Sequence, residues 1–384
     1  MSFTSEPSKV IQRFVKTHLD ILPDFRLTAS SKAFLKILYN MALNTPPAPN
    51  YKIISQKQYL PKASFPKGHM FDLLTIDTIK THIINLSKNV THIQLIVGIR
   101  IYNIYFVLPS GSPPLNLDIC IARMNQWLQI ATSFVESRRC SKQVDVYLYL
   151  TDFVKKLPPT FRQPIAEENV NTAFTTRCSD TTEILIFRRE EWFKVFIHEC
   201  FHNLGLDFDI SSKNKDLLKS VFPLHQSMCQ LGETYAELWA ELLNIVLTSA
   251  NTRNSFEQIV ANIETHIQIE RKYSLFQVSK IMNHFGIKYT DLFVSTPHFK
   301  ESTEVFCYYV LKTLLIYNCN DFIGWVKKNC FGLRFDSTKV GLFIEELIIP
   351  RYNQIRFIKA IDSASFQKSR NAFVATTMRM TALE

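Results

Sequence analysis

The sequence predicts an α+β fold: a small mixed sheet with one site-bearing helix, followed by a mainly helical half. Three observations carry this. β-branched and aromatic runs with partial alternation occur at 91–109, 143–153 and 181–188, the spacing and composition of strands. A helical pattern starts directly after the last of them. From residue 232 onward almost every stretch has helical periodicity, through GETYAELWAELLNIVL, the long NSFEQIVANIETHIQIERKYSLFQVSKIMNHFG and ESTEVFCYYVLKTLLIYN.

Taken in order, residues 1–90 read as an N-terminal extension, helical in SKVIQRFVKTHLDIL and SKAFLKILYNMAL and irregular in the Pro- and Lys-rich NTPPAPNYKIISQKQYLPKASFPKGH. Residues 91–210 read as a sheet plus its helix. THIQLIVGIRIYNIYFVLP supplies a strand pair and SGSPP a loop. LDICIARMNQWLQIATSFVES then supplies a helix with Ile119, Ala122, Trp127, Ile130 and Phe134 on one side. QVDVYLYLTDF and TTEILIFR are two further strands, and Ile184 and Ile186 of the second should face the core. RREEWFKVFIHECFHNLG follows as a helix, with acidic residues in its first turn and Gly205 where helices commonly stop. Residues 211–384 read as a helical subdomain.

Composition narrows the function classes. The 384 residues are 46% hydrophobic and 12% aromatic, enough for a large core, and 9 Gly against 30 Phe argue against repeats or long disordered linkers. The N-terminus lacks the features of a secretory signal, and each long apolar run holds a charge, so the expectation is a soluble cytoplasmic protein with no membrane partner. Eight cysteines without a CxxC or close pairing fit reduced thiols rather than a disulfide framework or cysteine zinc ligands. The net charge of +10 is spread out, with short clusters at Arg138-Arg139 and Lys327-Lys328. It leaves an acidic partner surface open, while the missing basic helix and RNA-binding signature argue against nucleic acid. Phosphate-cradling glycine motifs and a serine-hydrolase elbow are absent.

The chemistry concentrates in HECFHNLGLDFD, residues 198–209. On a helix, His198 and His202 lie one turn apart on one face and can direct ring nitrogens at one ion about 2.0–2.1 Å away. Glu199, beside the first histidine, is placed to act as general base on a water at that ion. Cys200 projects away from the histidine face and reads as a small core residue.

A catalytic zinc site takes three protein ligands. A third ligand six residues after the second histidine would follow the metzincin pattern, but that position is Phe208, flanked by Asp207 and Asp209. The alternative is the later helix GETYAELWAE, where Glu233 and Glu237 share a face, so that one can bind the ion while the other accepts a histidine ring N–H.

Glu233-Thr234-Tyr235-Ala236-Glu237 resembles the second motif of gluzincins of the neprilysin branch, with Glu in place of Asp at its end. The resemblance covers about 60 residues. It implies a zincin-like fold and a zinc metallopeptidase, with Zn2+ held by His198, His202 and Glu233, Glu199 as base, and Glu237 orienting a histidine. The 31 residues from His202 to Glu233 exceed the interval usual in thermolysin, so SSKNKDLLKSVFPLHQSMCQ must loop out and Glu237 stays open as the ligand. The branch uses a downstream histidine as oxyanion donor, for which His298 is the candidate; the partner implied is a peptide or protein substrate. In zincins the edge strand beside the active helix pairs with extended peptide, here TTEILIFR, with Arg188 and Arg189 available to acidic side chains. VDVYLYLTDFVKKLP followed by IFRREEWFKVFIHECFHNLGLDF also resembles uncharacterised zincin-like proteins of large cytoplasmic DNA viruses, which implies host cytoplasm or virion as location. The competing expectation is a catalytically inactive zincin-fold structural or interaction protein, for instance a virion component.

Overall fold

A computed structural model describes residues 5–45, 50–137, 140–224, 229–250, 255–294, 298–365 and 371–384. The Arg138-Arg139 cluster lies outside the described residues. The chain forms two compact units, one of Lys36–Val154 and Thr172–Leu206, the other of Met1–Leu35, Lys155–Asn171 and Asp207–Glu384.

The first unit is built on a six-stranded mixed sheet: β1 (Tyr51–Tyr59), β2 (Lys88–Val97), β3 (Arg100–Pro109), β4 (Gln143–Thr151), β5 (Ala173–Thr175) and β6 (Thr181–Arg188), in the order β1-β2-β3-β4-β6-β5. β1, β2 and β3 are antiparallel neighbours; β3, β4 and β6 run parallel; β5 closes the far side antiparallel to β6. β2 and β3 meet through a two-residue turn, Gly98-Ile99, whose φ of +59° at Gly98 only glycine adopts without strain. The parallel step from β3 to β4 needs a crossover, and the helix Leu117–Thr132 provides it, starting where Asn116 accepts the Ile119 N–H.

On one face of this sheet Phe65, Phe71, Leu74, Ile79 and Ile83 pack over Val90, Val107, Tyr149, Leu185 and Phe187. Ile184 and Ile186, both 0% exposed, sit on the alternate side as their period-two spacing requires. The helix Trp192–Asn203 packs against β5 and β6 and against the crossover helix, where Trp127 stacks on Phe201 at 5.7 Å.

β1 falls inside the segment expected to be irregular. It is an edge strand with no buried residue, six of its nine being exposed and three half-buried, so its sequence carries no apolar alternation to betray it. Its lysines, Lys52 and Lys57, are typical protection for an open edge. A second difference concerns cysteine. Cys140 and Cys178, 38 residues apart, are disulfide-bonded with Cα atoms 4.7 Å apart, whereas reduced thiols were expected; the other six are free thiols. Their pairing depends on two loops that only the fold brings together.

The second unit is helical. Leu231–Ser249 and Phe256–Phe285 are its longest helices, the latter started by a Ser255–Gln258 capping box and stopped at Gly286, φ +66°. Phe208, Tyr235, Phe335 and Phe343 form an aromatic cluster beside the first, with the Tyr235 hydroxyl donating to the Leu333 carbonyl. The stretch Thr377–Leu383 threads through this unit fully buried. Lys280 donates to the Thr377 carbonyl and Lys312 to the Met380 carbonyl, while Glu270 accepts the Ala382 N–H. Among the described residues no helix is long and apolar enough to cross a membrane.

Candidate metal centre

The helix Trp192–Asn203 begins three residues after β6. Glu191 caps it in a left-handed conformation (φ +59°), so the acidic residues expected in its first turn stand just before it. Its end is a Schellman motif: the Leu206 N–H bonds the Phe201 carbonyl (2.8 Å), the Gly205 N–H bonds that of His202 (3.2 Å), and Gly205 takes φ +64°. Asn203, completely buried, then anchors this end. Its amide donates to Thr175 Oγ1 and the Thr176 carbonyl, its side-chain oxygen accepts from Thr182, and its backbone carbonyl accepts from Ser141 Oγ. The last turn, which holds His202, is thereby held from both sides by the sheet unit's own residues.

All twelve residues of this helix are buried, including Lys194, His198, Glu199 and His202. Such polar residues stay buried only when partnered. The imidazoles converge: His198 Nε2 and His202 Nε2 are 3.0 Å apart, with ring centroids at 4.8 Å and ring planes 70° apart. Two nitrogens bound to one tetrahedral zinc would sit about 3.3 Å apart. Cys200 is 1% exposed on the opposite side, and burial pushes its thiol pKa far up, as a structural cysteine requires.

Glu233 lies in the first turn of Leu231–Ser249. The start of that helix is set by a close approach: a Cβ on Gly232 would fall 2.2 Å from the Phe208 carbonyl oxygen, so only glycine fits there. The Gln230 N–H donates to Glu304, whose carboxyl pKa is raised by burial first and by the neighbouring Glu233 charge to a lesser degree. Tyr308 Oη donates to Glu233 Oε2 at 3.1 Å. Glu237 and Glu241, one and two turns further, are 2% and 1% exposed, and Lys312 pairs with Glu241 at 2.8 Å. This is no solvated acidic stripe.

One donor atom from each of His198, His202 and Glu233 lies within 4.8 Å of the others, a group that could hold a metal ion. Among the described residues no other such group occurs, and neither Asp207 nor Asp209 belongs to it. Phe208, at the position a metzincin ligand would occupy, is in the aromatic cluster.

No protein-family model and no solved structure matches the chain. It is 26% identical over 191 residues to an uncharacterised protein of Acanthamoeba polyphaga mimivirus, a match that covers 46% of each chain. A loose viral relationship is what this likeness supports. The chain thus spans less than half the length of that relative, which is itself uncharacterised and lends no activity.

Several expectations change. β6 is not an edge strand: β4 and β5 flank it on both sides, and the outer edge belongs to the short β5. Arg188 is 2% exposed, and Arg189 is 3.6 Å from Asp152, so neither is an open contact for acidic side chains. His298 is exposed. Sequence reasoning missed Asn203, Gly232 and Tyr308. Asn203 sits within the motif, one residue after His202, where a buried helix end needs a polar anchor. Tyr308, 75 residues beyond Glu233, gives no signal in its helical stretch.

Proposed function

We propose that the chain is a zinc-dependent metallopeptidase of the zincin kind, with His198, His202 and Glu233 holding the ion and Glu199 acting as general base. The observation that carries this reading is the convergence of the two imidazoles and one carboxylate, within 4.8 Å of one another, next to a buried glutamate in the same helix. Two histidines and a glutamate are the donor set of a hydrolytic zinc site with a fourth position for water. When bound there, zinc would lower the pKa of water and polarise a substrate carbonyl.

The side chains divide the remaining work. Glu199 takes the proton from the attacking water and passes it to the leaving amine, a role its place beside His198 in the same helix suits. Glu237, buried one turn from Glu233, is the group we assign to accept the second ring N–H of a ligand histidine and so hold its tautomer once the ion is bound. Tyr308 occupies one oxygen of Glu233, which leaves the other for the ion. The substrate is peptide or protein, and the viral relative supports the host cytoplasm or the virion as its place.

Elemental analysis of the purified full chain should show zinc bound in stoichiometric amount, and a peptide library should be cleaved. Glu199→Gln should retain the ion and lower the rate about 10²–10⁴-fold. A zinc-free chain after metal reconstitution, or cleavage untouched by Glu199→Gln, overturns the reading. Zinc bound through these residues without cleavage of any library would point to a non-catalytic zincin-fold component.

A further inference from the structure

The long helix Phe256–Phe285 carries a buried cation the metal centre does not use. Arg271 is 8% exposed, and among the described residues no carboxylate lies within ion-pair reach of it. Its guanidinium is held rigidly instead. One terminal nitrogen donates to Gln268 Oε1 at 2.8 Å and the other to the Tyr317 carbonyl at 3.1 Å, and the group lies 4.9 Å from the Phe25 ring and 5.4 Å from the Tyr317 ring. Its Nε–H is buried and has no hydrogen-bond partner among the described residues. The acids of nearby segments are paired elsewhere: Asp20 with Lys272, Asp321 with Arg351, Glu264 with Arg26. An uncompensated buried charge is costly, and desolvation lowers the Arg271 pKa accordingly.

This residue lines a cavity of 520 Å³ together with Tyr317, Asn318, Arg356, Lys359 and Ser363. Arg356, Lys359 and Ser363 come from one helix, Ile355–Ser363, at spacings of three and four, and therefore share a face. No acidic residue lines the cavity, so three cations converge there with only aromatic, amide, hydroxyl and aliphatic company. Like charges gathered around one hollow repel each other, and a multivalent anion between them removes that repulsion. The volume is within the range of small-ligand sites, and guanidinium forks match phosphate oxygens in pairs.

We propose that this cavity of the helical unit binds a small molecule carrying a chain of phosphates, with Arg271 as the fixed inner contact and Arg356 and Lys359 as the outer clamp. The shared chemistry is a di- or triphosphate group, whether inorganic or part of a nucleotide.

Calorimetric titration of the full chain with sodium tripolyphosphate and with ATP, against sodium sulfate at matched ionic strength, tests this. Tripolyphosphate should bind saturably and the Arg356→Gln/Lys359→Gln double variant about tenfold more weakly or worse, since two charge-assisted contacts are lost. Both positions are exposed, and an unchanged melting temperature confirms that the variant is folded. Chelation of a bound metal would be equal in the two proteins, so the difference between them reads the cavity alone. Arg271→Lys, which keeps the charge but loses the fork, should also weaken binding. Equal affinity for ATP and tripolyphosphate assigns recognition to the phosphate chain, and tighter ATP binding adds a nucleoside contact to it. Absence of saturable tripolyphosphate binding, or equal affinity in the double variant, overturns the proposal.

Discussion

The helix Trp192–Asn203 and the helix Leu231–Ser249 both bury charged residues, but they are defined in different ways. The first is bounded by signals within its own sequence: a strand before it, a Schellman stop at Gly205 after it, and two histidines whose four-residue spacing puts both rings on one face, where their Nε2 atoms lie 3.0 Å apart. The second is defined from outside. Its start rests on the Phe208 carbonyl and on Glu304, and its Glu233 on Tyr308. A pair of ligands one turn apart is a local property of a helix, whereas the position of a single glutamate depends on distant chain segments.

The strongest way to break this comparison is to remove a member of the local pair. His198→Ala or His202→Ala should abolish stoichiometric zinc binding and reduce hydrolysis by several orders of magnitude, roughly the loss of the whole metal contribution. Zinc retained at full stoichiometry in either variant, measured by elemental analysis, would show that the converging rings are not ligands.

Next comes the choice within the second helix. Glu233→Gln should weaken zinc binding more than Glu237→Gln, whose loss should be about 10–100-fold, the usual cost of a group that orients a ligand. Competition with a chelator of known affinity ranks the two, and the reverse order would make Glu237 the ligand. Tyr308→Phe is subtler: about a tenfold loss of zinc affinity or less, with little change in melting temperature, because one hydroxyl is removed from a half-buried site. An unchanged affinity would mean its bond to Glu233 is incidental. The smallest effect on the site should come from Gly232→Ala, which acts on stability, about 1–3 kcal/mol as the added methyl forces the helix start off the Phe208 carbonyl. Denaturant unfolding measures that cost, and a neutral result would show that the helix start can shift without loss.

Much of this was legible in residues 91–205. β2, β3, β4, β6, the crossover helix and the histidine helix each advertise themselves through alternation, an apolar run, helical periodicity or a glycine stop, since each has at least one face buried by its neighbours. Where that condition fails, the reading fails with it. β1 is exposed on both faces and has no pattern. The three-residue β5 is too short to show one, and its pairing turns β6 from an edge into an interior strand. Glu237 and Glu241 repeat like a solvated charge stripe yet are buried, because Lys312, 71 residues beyond Glu241, supplies a counter-ion that no local window contains.

Residues 198–202 by themselves specified two imidazoles on one helical face with a carboxylate beside the first, since backbone hydrogen bonding sets that spacing wherever the helix forms. Tertiary structure alone decided that Glu233, Tyr308, Cys140 with Cys178, and Arg271 with Arg356 and Lys359 would find each other. The physical reason is range: helix and strand periods act over a few residues, while burial and charge pairing join segments whose separation along the chain carries no information about their distance in space.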